Sequence, residues 1–136
     1  MSKTFEPNAL SDFTRNLHVL VAEDGLVNQL VLVGLLELSG HRATVANNGR
    51  EASELLVSQD FDVCLMDLDM PELDGVEATR QIRSRGIGLP IYAMTAHHDK
   101  HHADQCHDAG MNGFLTKPIN PIDLQRILDT VARVGK

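Results

Sequence analysis

The chain has 136 residues, room for one domain around a single core and too few for two. Hydrophobic residues make up 43% and charged residues 23%, the balance of an ordinary globular domain rather than a disordered one. A net charge of −7 with scattered Lys and Arg argues against a nucleic-acid surface, and no apolar run reaches the roughly 20 residues of a membrane span.

Residues 1–15 are polar and mixed in charge, without the apolar centre of a secretory signal, and read as a loosely held extension ahead of one domain at 16–136. Cys64 and Cys106 match no metal or redox spacing and read as reduced thiols in a cytoplasmic setting. From residue 17 onward, short apolar runs alternate with longer helical ones. Residues 17–22 (LHVLVA) predict a strand and 26–38 a helix. Residues 41–46 predict a second strand and 49–57 a helix. The most apolar strand follows at 62–66 (DVCLM), and after a PELDG turn a helix runs over 76–84. Residues 90–94 predict the fourth strand, 99–109 a helix, 113–116 a short fifth strand and 120–134 a closing amphipathic helix. Gly40, Gly86 and Gly110 stand where helices should stop, and Asp74 with Glu77 has capping-box spacing. Repeated strand–helix–strand units mean an α/β fold, with a parallel sheet and helices on both faces.

In an open parallel sheet, ligands bind beyond the carboxyl ends of the strands. The first strand ends in Glu23-Asp24 and the third in Asp67, with Asp69 just beyond. The fourth ends in Thr95-Ala96 and the fifth in Lys117-Pro118. Carboxylates crowded at one edge repel one another unless a hard divalent cation sits among them. Mg²⁺ suits such oxygen ligands, with Mn²⁺ as the alternative. An ammonium and a hydroxyl beside them suit phosphoryl oxygens, and a carboxylate can itself be the nucleophile that forms an aspartyl-phosphate.

The segments VLVAEDGLVNQ, FDVCLMDLDMPELDGVEATRQIR, PIYAMTAH and AGMNGFLTKPI, spread over residues 17 to 131, resemble the response-regulator receiver family, most closely the receivers of hybrid sensor histidine kinases. The resemblance implies a flavodoxin-like doubly wound sheet of strand order 2-1-3-4-5. It implies that Asp67 is the phosphoacceptor. Mg²⁺ would then be bound by Asp24, Asp67 and the backbone carbonyl of Asp69, with Glu23 helping directly or through water. Thr95 and Lys117 would hold phosphoryl oxygens, with Ala96 leaving room beside them, and Phe114 would be an aromatic switch that follows Thr95. The Lys117-Pro118 bond would be cis. Implied partners are a histidine kinase or a histidine phosphotransfer domain, and the implied state is a monomer or a weak, phosphorylation-dependent dimer. Such a domain is a phosphoacceptor switch rather than a turnover enzyme.

Gly25 departs from the family, which often has Asn there, and Asp69 adds a negative charge that either tunes phosphoryl lifetime or metal affinity or is a solvated loop carboxylate. The helix at 26–38 is apolar around most of its circumference, and Leu26 with Leu30 is expected to be a docking face for a helical phosphodonor, against a helix that merely exposes a few leucines. Five histidines fall within HHDKHHADQCH. His97 with His101 and His98 with His102 have i, i+4 spacing that can chelate a metal, against a solvent-facing helix that changes charge near pH 6.5. The main alternative is a phosphatase similar to the haloacid-dehalogenase family, using Asp67 and Asp69. Against it, that family carries its nucleophile on the first strand and further metal-binding acids after the Lys.

Overall fold

The computed structural model describes residues 16–70, 74–96 and 99–134. The expected extension at 1–15, residues 71–73 of the PELDG turn, and His97 and His98 lie outside the described residues. Ten elements alternate: β1 (His18–Ala22), α1 (Leu26–Leu38), β2 (Arg42–Ala46), α2 (Gly49–Ser58), β3 (Val63–Asp67), α3 (Gly75–Ser84), β4 (Ile91–Thr95), α4 (Lys100–Ala109), β5 (Gly113–Thr116) and α5 (Pro121–Val134). The five strands are parallel, in the order β2-β1-β3-β4-β5.

Alternation along the strands divides the core in two, because successive side chains point to opposite faces. Leu20, Ala22, Cys64, Met66 and Ala93 face a layer that includes Ala52 and Leu56 of α2, Ala78 and Ile82 of α3 and Cys106 of α4. Val19, Val21, Val63, Leu65 and Met94 face Leu32 and Leu36 of α1 and Leu124 and Leu128 of α5. β3, in the centre, is buried at every residue, which is why its sequence is apolar without alternation.

Helix ends follow local chemistry. The Asn48, Asp74 and Asp99 side chains accept from the backbone N–H three residues on, capping α2, α3 and α4. Gly40, Gly86 and Gly110 all adopt positive φ (85°, 81° and 103°), the left-handed stops their positions predict.

Several boundaries shift by one residue. The sequence places Asp62 in the third strand and Asp67 just after it. In the structure Asp62 precedes β3, where its Oδ2 accepts the His18 N–H at 2.8 Å, and Asp67 is the last strand residue. Thr95 likewise belongs to β4. His41, expected in β2, lies before it and works through its side chain, with Nδ1 accepting the Leu17 N–H at 3.0 Å.

Candidate phosphoacceptor site

The register of the sheet brings the strand ends level. Ala22 pairs with Met66, Asp67 with Met94, and Thr95 with Thr116. Glu23, Asp67 and Lys117 therefore meet at the same edge. Lys117 Nζ lies 2.9 Å from Asp67 Oδ1 and 3.6 Å from Glu23 Oε1. The Asp69 N–H also donates to Asp67 Oδ1, at 3.0 Å, so the two carboxylate oxygens of Asp67 are inequivalent. The Lys117-Pro118 peptide is cis.

Glu23 is almost fully buried. Its Oε2 accepts the Gly25 N–H at 2.9 Å, whereas its buried Oε1 has no hydrogen bond, only the long ionic contact to Lys117. Burial raises the Glu23 carboxyl above its ordinary range. Asp67 beside it adds to the rise, while the Gly25 N–H and Lys117 pull the other way. Burial alone would lower Lys117, but its contact with Asp67, helped by the charges of Glu23 and Asp69, prevails and leaves the ammonium above its usual value.

One carboxylate oxygen from each of Glu23, Asp24 and Asp67 can be chosen so that all lie within 4.8 Å of one another. Among the described residues this is the one group able to hold a metal. A buried carboxylate oxygen without a hydrogen bond, in a cluster of three acids facing one ammonium, fits a hard divalent cation. The donors are all oxygens, which matches Mg²⁺ or Mn²⁺ rather than a softer metal.

Thr95 is buried at its strand end and Ala96 is exposed beyond it. Phe114 stands opposite Ala93 in the sheet, two residues short of the Thr95 partner, with its ring 39% exposed. Beside it, a cavity of about 180 Å³ is lined by Ala103, Cys106, His107, Met111 and Phe114. A second cavity of about 220 Å³ adjoins the acidic cluster, between Val31 and Leu32 of α1 and Pro118-Ile119. Leu26 and Leu30 project from α1 at 67% and 64% exposure.

Two residues that hold the fold in place escape sequence reasoning. A Cβ on Gly75 would lie inside contact distance of the Asp67 carbonyl oxygen and 2.9 Å from Met66 Cγ. Only glycine lets α3 start so close to the strand that ends in Asp67. Arg83 donates five hydrogen bonds, to the carbonyls of Ile87, Leu89 and, twice, Gly110, and to Asn112 Oδ1. It fastens both loops that flank the start of β4. The signal for Gly75 is its place in the PELDG turn; a helical arginine carries none.

Each of the expected chelating pairs includes His97 or His98, which lie outside the described residues. His102 Nδ1 turns to the Asp99 carboxylate at 3.0 Å, and His101 and His107 are exposed. The N–H and the ring of His102 hold the Asp99 carboxyl down at about 2.

Comparison with known proteins decides the family. The model of the response regulator receiver domain matches residues 19–129. The chain belongs to that family. Among curated relatives, the hybrid signal transduction protein dokA of Dictyostelium discoideum is 40% identical over 114 residues, covering 82% of this chain and 7% of the relative. The chain spans about a tenth of the length of the curated relatives it matches. Among solved structures, the receiver domain of the sensor histidine kinase PA1611 from Pseudomonas aeruginosa is 38% identical with a TM-score of 0.79, covering 90% of this chain and all of that one. That structure has a magnesium ion in its active-site cleft. The receiver domain of Ssk1 from Saccharomyces cerevisiae, solved with the histidine phosphotransfer protein Ypd1, is 29% identical with a TM-score of 0.84, covering 90% of this chain and 92% of that one. The receiver domain is thus a phosphorelay module of the two-component type, with the flavodoxin-like fold its strand order requires. The dehalogenase-like alternative fails on topology as well. Asp67 ends the third strand of the chain, which is central in the sheet, and acids already close the first.

Proposed function

We propose that this receiver domain accepts a phosphoryl group onto Asp67 from a phosphohistidine donor and changes its surface in response. The observation that carries the reading is the convergence of Asp67, Lys117, Glu23 and Asp24 at one sheet edge, with a buried Glu23 oxygen that lacks a hydrogen bond.

The Asp67 carboxylate attacks phosphorus as the bond to the donor imidazole breaks. The imidazole nitrogen keeps the electron pair and takes up a proton. Lys117, already 2.9 Å from Asp67 Oδ1, moves its charge to a phosphoryl oxygen. The Thr95 hydroxyl receives a second oxygen, and the small Ala96 leaves space for it. Asp24, Asp67 and the backbone carbonyl of Asp69 would hold Mg²⁺ or Mn²⁺, with Glu23 in support. When bound, the ion offsets the charge of the carboxylates and the phosphoryl oxygens. Asp69, exposed and two residues beyond the acceptor, tunes how long the phosphoryl group survives. Its removal as Asp69→Asn should change that lifetime.

Movement of Thr95 toward the phosphoryl group biases Phe114 between its exposed position and the cavity between α4 and β5. The domain catalyses its own phosphorylation and hydrolysis without being a turnover enzyme, in a cytoplasmic setting. The donor is a histidine kinase or a histidine phosphotransfer protein, supported by the Ssk1–Ypd1 complex and by relatives that are hybrid kinases. Leu26, Leu30 and the cavity bordered by Val31 and Ile119 give that donor an apolar seat beside Asp67. No helix among the described residues is long and apolar enough to cross a membrane.

The test is transfer from a histidine phosphotransfer protein carrying labelled phosphate. Label should reach wild type, fail to reach Asp67→Asn, and reach the Leu26→Ser, Leu30→Ser double variant slowly. Label on Asp67→Asn would refute the acceptor assignment. A double variant as fast as wild type would place docking elsewhere.

A further inference from the structure

The exposed side of α1 is patterned for a partner of a definite shape. Val27, Val31, Gly34 and Leu38 are spaced four, three and four apart, the seam of a coiled coil. Val27 is 72% exposed, Val31 53% and Leu38 87%, so the seam lies opposite the buried Leu32 and Leu36. A phosphodonor seated over Asp67 does not account for all of it. Leu38 stands about 18 Å along the helix from Leu26, at the end away from the site.

Gly34 is the second anomaly. A glycine inside a helix weakens it relative to alanine, and a Cβ at this position would meet nothing within 4 Å. Among the described residues, no contact requires it. It leaves a notch in the apolar seam, with Val31 as a knob one turn away.

We propose that α1 pairs with α1 of a second copy of this chain, antiparallel, about a two-fold axis between residues 32 and 33. In that register Val31 of each copy enters the notch at Gly34 of the other, and Val27 covers Leu38. The interface is isologous, as a two-fold dimer requires. A parallel pairing would set notch against notch and leave a void. Within α1 itself charge does not oppose the antiparallel arrangement, whereas Asp24 just ahead of the helix and the net charge of −7 on each copy keep the pairing weak. Glu37 is the one charged residue of α1, and the two copies of it lie about 13 Å apart along the axis, beyond a Debye length of about 8 Å at physiological salt. Antiparallel helix dipoles favour it.

A helix of 13 residues is only about 20 Å long, so the contact is smaller than a standard interface and the dimer weak and reversible. Leu26 and Leu30 border the same face. Pairing of copies and approach of a phosphohistidine donor therefore exclude one another; this consequence rests on the docking reading above, whereas the pairing does not.

Sedimentation velocity of the full chain over a wide concentration range tests the pairing. Wild type should move from the 15.0 kDa monomer toward twice that mass. Val31→Glu should remain monomeric. Gly34→Leu keeps the face apolar but fills the notch, and it should weaken association at least tenfold. Register is read by mixing Val27→Cys protein with Leu38→Cys protein under mild oxidation. The two exposed positions should form a mixed disulfide, while either variant alone should not cross-link, since its own copies are about 16 Å apart along the axis. The native Cys64 and Cys106 are buried. A wild type monomeric at every concentration, dimers that survive Val31→Glu or Gly34→Leu, or cross-links between like positions would each overturn the proposal. Slow phosphotransfer with no dimer would refute pairing while leaving donor docking intact.

Discussion

The same substitution at two glycines should move stability in opposite directions. In Gly75→Ala, the new Cβ overlaps the backbone carbonyl of Asp67 and presses on Met66 Cγ at 2.9 Å. Neither neighbour can swing aside. The carbonyl is main chain in the central strand, and Met66 is fully buried. Relief requires the start of α3 to move away from β3, where the Gly75 carbonyl accepts the Thr79 hydroxyl at 2.8 Å. Overpacking of this kind costs about 1–3 kcal/mol. The gain from alanine's helix propensity is at most about 1 kcal/mol and is smaller in the first turn, so overpacking wins and the net loss is about 1–2 kcal/mol. In Gly34→Ala, the Cβ meets nothing within 4 Å, and the propensity term alone should stabilise by about 0.4–1 kcal/mol. Urea denaturation of both variants at low protein concentration, without metal, reads the difference. Because the displaced start of α3 borders Asp67, Gly75→Ala should also take up phosphoryl from a small donor more slowly, while Gly34→Ala should not. If Gly75→Ala is neutral or stabilising, the close approach of α3 to β3 is not what the glycine serves.

Arg83→Ala should destabilise by about 3 kcal/mol, about one for each carbonyl it leaves without its donor, and Arg83→Lys should recover only part of this; a loss under 1 kcal/mol in urea denaturation would show that water replaces the clamp. Burial holds His41 below its ordinary 6.5, against the pull of Asp129 and Asp62. The unfolded chain then takes up the proton first, so stability present above pH 6.5 should fall as pH drops through that value. Denaturation at pH 7.5 and 5.5 should show a smaller difference in His41→Ala than in wild type. Glu23 has the reverse sign for a carboxylate: its folded value is raised, so the ionised form burdens the metal-free protein at neutral pH. Glu23→Gln should raise metal-free stability by about 0.5–2 kcal/mol while weakening Mg²⁺ binding about tenfold or more, read by denaturation and calorimetry. A variant that is less stable and binds Mg²⁺ normally would remove Glu23 from the cation site.

The readable parts of this molecule were those that repeat a simple physical demand. A central parallel strand must be apolar on both faces, and VCLM says so. Ligand-bearing residues gather at the carboxyl ends of such strands, which singles out Glu23-Asp24, Asp67, Thr95 and Lys117 before any coordinates. The three glycine stops declare themselves because left-handed φ is costly for other residues. What stayed hidden depends on partners far away in sequence. Arg83 looks like a solvated helical arginine, yet two of its acceptors lie 27 and 29 residues on. The need for Gly75 arises from the carbonyl of Asp67 in another element. His41 reads as a strand residue by pattern, but its ring replaces a sheet partner for Leu17. The apolar circumference of α1 was legible. Its notch at Gly34 gained meaning only once the surrounding space proved open.

The central claim is that Asp67 takes the phosphoryl group with the help of a divalent cation. Its most direct test is intact mass after adding acetyl phosphate with Mg²⁺, for wild type, for Asp67→Asn and for wild type with the metal chelated. A gain of one phosphoryl group is expected in wild type alone, with beryllofluoride binding as the control for rapid hydrolysis. A gain that persists in Asp67→Asn or without metal would contradict it, as would a wild type that takes neither phosphoryl group nor beryllofluoride.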